Sequence, residues 1–221
     1  MSKKFVKKWE PSADRGGITE SLYPSDPLKP KLNRAIRKVE VQAQKLKNVA
    51  EELAQRDRRL FAKLVEAYGN HEDDRAKMLA SEIAEIRKNQ KFMVNSGIAL
   101  EQVLLRLKTV SEVGDVISSL TPAIEVLSEI KSGLAGVMPN TERELEEAGN
   151  LLNDIVAEAS QTAGLTLGFE ATSIDAKKIL EEAAAVAEQR MQEKLPPLPS
   201  ETSNVGWTVT QAGGKEKTEK A

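Results

Sequence analysis

Residues 30–108 read PKLNRAIRKVEVQAQKLKNVAEELAQRDRRLFAKLVEAYGNHEDDRAKMLASEIAEIRKNQKFMVNSGIALEQVLLRLK. Apolar residues recur along this stretch at alternating steps of four and three, which keeps one seam on one face of a helix. Asp57 is the one polar residue in the seam of the first half. The sequence Tyr68-Gly69-Asn70-His71 separates the two halves. The pattern predicts an all-α fold, built on a long antiparallel helical hairpin over residues 30–108 and followed by shorter helices.

The bulk composition is typical of surface-rich helices. Aromatic residues make up 4% of the chain and charged residues 30%, which disfavours a compact α/β enzyme. No run of 18 apolar residues occurs, so no transmembrane helix is predicted. The first residues lack an apolar core, which argues against a secretory signal. Cysteine is absent, which excludes disulfides and thiolate metal sites.

The net charge of −2 hides an asymmetry between the two halves of the chain. Residues 1–108 carry 23 Lys and Arg against 15 Asp and Glu, whereas residues 109–221 carry 9 against 19. A basic half favours an anionic partner, either lipid or nucleic acid. An acidic half of the same chain can cover it, so the asymmetry predicts a switch; plain solubility is the alternative.

Residues 1–27 are predicted to be a membrane-targeting segment followed by a linker. Phe5 and Trp9 would share one face of a helix, and lysines surround them. Aromatic rings suit the headgroup boundary and each lysine adds about 1 kcal/mol near an anionic surface. The candidate membrane-binding residues are Lys3, Lys4, Phe5, Lys7, Lys8 and Trp9. The alternative is a disordered basic tail.

The first hairpin helix also presents a face rich in cations. These residues are Lys31, Arg34, Lys38, Lys45, Arg56, Arg59 and Lys63. Such a face can lie on lipid headgroups or on a phosphate backbone. Nucleic-acid binders usually interleave aromatic residues for stacking, and this face has none. Lipid is therefore preferred, with Arg34, Lys38 and Lys45 as further membrane-binding candidates.

After Phe92 the apolar band becomes wider than a two-helix hairpin can bury. The off-seam residues are Phe92, Val94, Ile98, Val103, Leu105 and Val110. This surplus must pack against later helices or against another subunit. We take these residues as candidates for polymerisation.

No catalytic or metal-binding constellation is recognisable, so no cofactor, no metal, no small-molecule substrate and no enzymatic activity are predicted. His71 precedes three acidic residues, but their spacing suits a turn and the N-terminus of a helix better than a metal site. The chain has no GxxxxGK[ST] loop for ATP.

The acidic half is predicted to contain three further helices. A helix over residues 113–137 is expected to kink or restart at Thr121-Pro122, and an acidic helix follows over residues 141–159. A flexible linker is predicted at 160–172, and an acidic regulatory helix at 173–195. Its face is expected to dock weakly on the hairpin through Ile179, Ala183, Val186 and Arg190.

A proline motif follows this helix. Residues Leu195, Pro196, Pro197, Leu198 and Pro199 favour a polyproline II segment, which is an extended ligand for an apolar groove. A proline-rich end of a helix is the alternative. Residues 200–221 are predicted to be a disordered tail.

The run LTPAIEVLSEIKSGLAGVMPNTERELEEAGNLLNDI, residues 120–155, resembles the third helix, short loop and acidic fourth helix of ESCRT-III (Snf7-type) proteins. Within that family the layout of residues 28–195 is similar to the archaeal cell-division proteins of the CdvB kind. The resemblance implies a cytoplasmic subunit that polymerises on anionic membrane, alone and with paralogues. It also implies a closed form in which the acidic helices mask the basic hairpin. Residues 195–199 look like the motif that binds the MIT domain of a AAA ATPase.

The prediction is therefore a non-enzymatic filament subunit that remodels, constricts or severs membrane. It would act at the inner membrane surface, at the division site of an archaeal cell. Two alternatives stay open: a helical scaffold or tether without membrane activity, and a nucleic-acid-binding helical bundle.

Overall fold

The computed structural model describes Trp9 and residues 27–113, 116–163 and 170–196. The three ranges form five helices: α1 (Leu28–Gly69), α2 (Asp73–Val113), α3 (Val116–Leu134), α4 (Pro139–Ala163) and α5 (Glu170–Lys194). Helices α1 and α2 pack against each other as a long antiparallel hairpin, and the shorter helices pack on it. The predicted all-α fold with a helical hairpin is confirmed. No described helix is both long and apolar enough to cross a bilayer.

The turn of the hairpin lies where the sequence places it. The backbone N–H of Asn70 donates to the carbonyl of Glu66 at 3.0 Å, and that of Glu72 donates to Ala67 at 3.0 Å. His71 takes a positive φ of 57° in the turn. Asp73 opens α2, where a negative charge is favoured by the helix dipole. His71 is therefore a turn residue, as predicted.

The hairpin seam divides into two apolar clusters. A small cluster at the closed end contains Leu64, Ala67, Ala76, Leu79 and Ile83. The larger cluster, which we call the main core, joins the open half of the hairpin to α3, α4 and α5. Asp57 lies in the seam with a side chain that is fully buried.

Helices α3 and α4 form a second antiparallel pair. Helix α3 packs on α2, and α4 packs on α1. Pro122 lies inside α3 and the helix continues through it, so the predicted restart at this residue is wrong. Pro122 is the seventh residue of α3, beyond the first turn, so the helix continues although a proline at this position cannot donate the usual intrahelical hydrogen bond. Helix α4 begins at Pro139, a residue suited to a first helical position.

Helix α5 docks on α2 and α3. Its buried residues are Ala176, Ile179, Ala183 and Ala187. Docking on the hairpin is confirmed, but the predicted face is wrong at its C-terminal end: Val186 is 37% exposed and Arg190 is exposed. A step of four from Ala183 leads to Ala187, whose small side chain lets the helix approach closely. Within the linker predicted at 160–172, residues 160–163 belong to α4 and residues 170–172 to α5, and the residues between them lie outside the described part of the chain.

Candidate functional surfaces

The cations of α1 form one stripe along the helix. We call residues Lys31, Arg34, Lys38, Lys45, Arg56, Arg59 and Lys63 the cationic stripe. Their spacing keeps them on one flank of α1, beside the buried seam. The acidic helix α4 packs on α1 over the half of the stripe nearest its N-terminus.

Two lysines of that half are bound by α4. The Nζ of Lys38 donates to Glu144 Oε2 and to Glu147 Oε2, each at 2.7 Å. The Nζ of Lys31 donates to Glu158 Oε1 at 2.7 Å. We call these three contacts the acidic clasp. In this conformation Lys38, a predicted membrane-binding residue, is occupied by protein carboxylates.

The clasp changes the protonation of its own members. The hydrogen bonds to Glu144 and then to Glu147 raise the pKa of Lys38. The hydrogen bond from Lys38, with its charge, lowers the pKa of Glu144, and the more distant charge of Lys45 lowers it further. Both shifts favour the charged forms, so the pair is ionised over the neutral pH range.

The rest of the stripe faces solvent. Arg34 and Lys45, both predicted membrane-binding residues, are exposed. Arg56 contacts Glu82 of α2 at 2.6 Å, a pair whose side chains are about half exposed. Arg59 and Lys63 are exposed, and among the described residues no carboxylate lies within salt-bridge distance of either. Helix α4 therefore binds two of the seven cations of the stripe, and the other five are exposed.

The predicted N-terminal membrane segment lies mostly outside the described residues. Lys3, Lys4, Phe5, Lys7 and Lys8 are in that undescribed part. Trp9 is described, is 8% exposed and belongs to the main core. An indole buried in this way cannot reach a bilayer unless it first leaves the core.

Most of the off-seam residues predicted to join subunits pack inside this subunit instead. Ile98, Val103 and Val110 are buried, and Phe92 and Val94 pack against the main core. Leu105 differs from the others because it is 69% exposed. In this conformation the apolar surplus is covered by the later helices, which was the first of the two predicted outcomes.

Helix α5 adds a second set of acidic contacts, this time to α2. Lys91 pairs with Glu188, and this hydrogen bond lowers the pKa of Glu188. Arg106 Nη1 lies 3.8 Å from Asp175 Oδ2. Helix α5 therefore runs antiparallel to α2 and sets its carboxylates against the basic half of the chain.

The sequence did not predict the part that Arg87 plays in the hairpin, where it binds the buried Asp57. Its Nε donates to Asp57 Oδ1 at 2.7 Å, and its Nη2 donates to Asp57 Oδ2 at 3.3 Å. Its Nη1 donates to the carbonyl oxygen of Pro196 at 2.7 Å. Asp57 was the residue that could have indicated this pair. A carboxylate in an apolar seam needs a cationic partner, so its presence predicts an arginine or lysine on the facing helix.

The proline motif is described only at its start. Leu195 is half-buried and Pro196 is exposed, while Pro197, Leu198 and Pro199 lie outside the described residues. The backbone N–H of Leu195 donates to Met191, which closes the last turn of α5. The motif thus begins at the point where α5 meets Arg87.

A groove of about 260 Å³ lies between α1, α2 and the end of α5. Its walls include Ala50, Gly97 and Met191, with Arg190 and Lys194 at the rim. Gln90 is buried there, and its amide oxygen accepts no hydrogen bond from any residue that the structure describes. The described residues contain no group of three His, Cys, Asp or Glu side chains placed to hold a metal ion.

Comparison with known proteins identifies relatives over most of the chain. It is 44% identical over 201 residues to cell division protein B1 of Sulfolobus acidocaldarius, an alignment that covers 90% of this chain and 92% of the relative. It is 32% identical over 168 residues to cell division protein B of the same organism, covering 76% of this chain and 64% of that relative. No family model and no solved structure matches it. Since the first alignment spans nearly both chains and the hairpin fold agrees with it, this chain belongs to the archaeal CdvB-like group of ESCRT-III proteins.

Proposed function

We propose that this protein is a non-enzymatic subunit of the archaeal division machinery that polymerises on anionic membrane and remodels it. The relatives named for cell division support the role in division. The observation that carries the membrane part is the acidic clasp, in which Glu144 and Glu147 occupy Lys38 of the cationic stripe. Carboxylates that bind a cationic face in this way take the place that lipid phosphates would take.

The energetics favour a reversible switch. Solvent-exposed ion pairs contribute about 0–1 kcal/mol each. A lysine or arginine near an anionic bilayer gains about 1 kcal/mol. A membrane therefore offers the stripe an interaction of the same size as the one α4 provides, over more cations at once. Apolar contacts of α4 through Leu145, Leu152 and Ile155 oppose release, so the closed form persists away from lipid.

Release of the later helices would expose the surfaces that a filament needs. Helices α3, α4 and α5 cover Ile98, Val103 and Val110, together with Phe92 and Val94. Once uncovered, these apolar residues would pack against a second copy of this chain or against a paralogue. Leu105, already exposed, would extend the same contact.

The remaining partner is a AAA ATPase, whose MIT domain would bind residues 195–199 and disassemble the filament. ATP hydrolysis would belong to that partner. The subunit itself would act in the cytoplasm, peripherally at the inner surface of the membrane at the division site.

Binding to liposomes tests the proposal with a matched pair of variants. Glu144→Gln with Glu147→Gln removes the two carboxylates of the clasp that hold Lys38. Glu142→Gln with Asp154→Asn makes the same charge change on α4 at carboxylates that form no ion pair with another described residue. We expect the first variant to sediment with anionic liposomes at lower lipid concentration than the second, and neither to sediment with neutral liposomes.

Charge reversal of the stripe's own cations is the second part of this liposome experiment. Arg59→Glu with Lys63→Glu should weaken sedimentation on anionic liposomes, whereas Lys77→Glu with Lys88→Glu, at exposed lysines of α2, should weaken it less. If all four variants sediment like the unmodified protein, the stripe does not bind membrane. If the unmodified protein ignores lipid altogether, the scaffold alternative replaces the proposal.

A further inference from the structure

A charged pair interrupts the apolar seam of the hairpin between its two clusters. Leu53 packs against the main core and Leu60 against the cluster at the closed end, and Asp57 lies between them in the seam. The side chains of Asp57 and Arg87 are 0% and 16% exposed, so both charges are withdrawn from water. Arg87 binds both carboxylate oxygens of Asp57, and its guanidinium carbon lies 5.9 Å from the ring centroid of Phe61. The two charges therefore satisfy each other at this one level of the hairpin.

The pair acts on the choice of pairing partner more than on stability. A buried ion pair adds little stability over apolar residues of similar size, but one member left alone in the interior is strongly unfavourable. The rest of the seam selects its partner weakly, because a slip of one heptad places apolar residues opposite apolar residues again. In the native register Leu46 faces Gly97. After a slip of one heptad in either direction, Asp57 would lie opposite Met93 or Leu79 and would have no cation.

The selection matters most when helices of different copies meet. Within one chain, the short turn between Gly69 and Asp73 already limits a slip of α2 along α1. No turn limits the slip when α1 of one copy meets α2 of another. Pairing of α1 with the α1 of another copy would also match apolar residues, but the seam of α1 contains no arginine or lysine. In each of these arrangements the carboxylate of Asp57 would be buried alone.

We propose that the pair of Asp57 and Arg87 determines which helices of this protein can pair: α1 pairs only with an α2, and only in the native register, within one copy or between copies. The consequence rests on the proposed function. Subunits that fold or come apart beside one another in a polymer present their helices at high effective concentration. A slip of one heptad would move the cationic stripe by about 10 Å relative to α2. The pair would therefore give every subunit of a filament the same geometry.

Disulfide trapping can report the register, because the natural chain contains no cysteine that could interfere. Leu46→Cys with Gly97→Cys reports the native register, since an added Cβ at Gly97 lies 4.0 Å from Cβ of Leu46, a distance that suits a disulfide. Leu46→Cys with Leu104→Cys reports a slip of one heptad. In the native register these two residues are about 10 Å apart along the hairpin, too far for a disulfide.

Both cysteine pairs are placed in the otherwise natural chain and in the variant Asp57→Leu with Arg87→Met, which replaces the ion pair by apolar side chains. Each protein is unfolded in urea, refolded by dilution at high protein concentration and oxidised. Electrophoresis without reductant separates disulfides within one copy from those that join two. We expect only the native-register disulfide in the natural background. In the apolar background the slipped disulfide should rise at least about ten-fold and should mainly join two copies, while the helical circular dichroism is retained.

Two further variants assign the effect to the buried pair. Arg56→Met with Glu82→Leu removes the exposed pair between the same helices and should trap like the natural chain. Asp57→Leu alone keeps the Arg87 donor for the carbonyl of Pro196 and should still raise the slipped disulfide. The proposal is overturned if the slipped disulfide is equally rare with and without Asp57, or equally raised by loss of the exposed pair. Neither lipid nor ATPase is present, so a negative result here leaves the proposed function standing, and failure of membrane binding leaves this result intact.

Discussion

Asp57 and Arg87 form a two-pronged ion pair inside the apolar seam of the hairpin, with the Asp57 side chain fully buried. The pair joins α1 to α2 at one level, so it fixes the register of two helices whose repeating seam would otherwise tolerate a shift. Arg87 also donates to the carbonyl of Pro196, which links the seam to the end of α5.

The first prediction concerns the stability of this pair. Arg87→Ala leaves the Asp57 carboxylate buried alone, and breaking a buried pair in this way costs about 3–5 kcal/mol of unfolding free energy. Asp57→Leu with Arg87→Met should cost much less. Urea denaturation followed by circular dichroism measures both. Arg56→Ala, which removes the exposed pair with Glu82, is the control and should cost less than about 1 kcal/mol. A cost for Arg87→Ala as small as that of the control would contradict the prediction.

Two helical glycines give opposite expectations. An added Cβ at Gly133 would overlap the ring of Phe92, whereas one at Gly149 would meet nothing within 4 Å. Gly149→Ala should therefore raise the unfolding free energy by about 0.5–1 kcal/mol. Gly133→Ala should lose that gain because the Phe92 ring must move, and it should regain it in a Phe92→Ala background. Thermal unfolding of Gly149→Ala, Gly133→Ala, Phe92→Ala and the double variant Gly133→Ala with Phe92→Ala measures these changes. Equal gains in unfolding free energy at the two glycines would contradict the close contact with Phe92.

Acid should weaken the clasp between α1 and α4. The carboxyl pKa of Glu144 is lower in the folded chain than in the unfolded one, because Lys38 donates to it. Its contribution to stability is therefore complete above the ordinary pKa of glutamate and is lost as the pH falls through the lowered folded value. The pKa of Lys38 is raised, so its contribution is present below the ordinary lysine pKa and is lost as the pH rises through the raised value.

Hydrogen exchange of the α4 amides reports this pH dependence, once corrected for the intrinsic exchange rate. Protection should fall on the acid side in the unmodified protein. It should change less with pH in Glu144→Gln, whereas the control Glu142→Gln should behave like the unmodified protein. A pH response that Glu144→Gln leaves unaltered would assign the effect to other groups.

The docking face of α5 can be tested by two substitutions three residues apart. Ala183 is fully buried, and Val186 is 37% exposed. Ala183→Asp would bury an unpaired charge, so it should detach α5 and make the segment after Ala163 sensitive to brief proteolysis. Val186→Asp adds the same charge on the solvent side and should leave the cleavage pattern unchanged. Equal sensitivity of the two variants would place the face elsewhere.

The last prediction concerns the proposed ATPase partner. Leu195→Asp with Leu198→Asp should abolish binding of the MIT domain, since a polyproline II ligand binds an apolar groove through such side chains. Isothermal titration with the isolated MIT domain measures this. Substitutions in the predicted tail, such as Thr208→Asp with Thr210→Asp, serve as the control. Retained affinity in the leucine variant would move the docking site out of residues 195–199.

The hairpin could be predicted from the sequence because its signal is local and repeated. Alternating steps of three and four define the seam, and Gly69, Asn70 and Asp73 mark the turn. The restart predicted at Pro122 is wrong because the sequence alone does not show the packing of α3 on its neighbours, which retains the helix through the proline. The face of α5 was misread at Val186, because an alanine-rich helix has an apolar pattern too weak to choose between neighbouring registers.

The candidate surfaces could be predicted only in part, for a related reason. The cationic stripe follows from helical spacing along α1 alone. Its partners Glu144, Glu147 and Glu158 are more than one hundred residues away, and pairing at that distance depends on tertiary register. Asp57 was visible as an interruption of the seam, but its partner depends on how α2 returns along α1.

The partial exposure of the cationic stripe sets an order of events under the proposed function. Arg59 and Lys63 are exposed in the closed subunit, while Lys31 and Lys38 are held by α4. A closed subunit can therefore bind an anionic bilayer through these exposed cations before any helix moves. The bound subunit then opens where lipid competes directly with Glu144, which is the kinetic order of induced fit. The rate of opening should rise with lipid concentration and then reach a plateau at the rate of α4 release. Binding of the closed subunit to the bilayer and opening of that subunit are then separate kinetic steps.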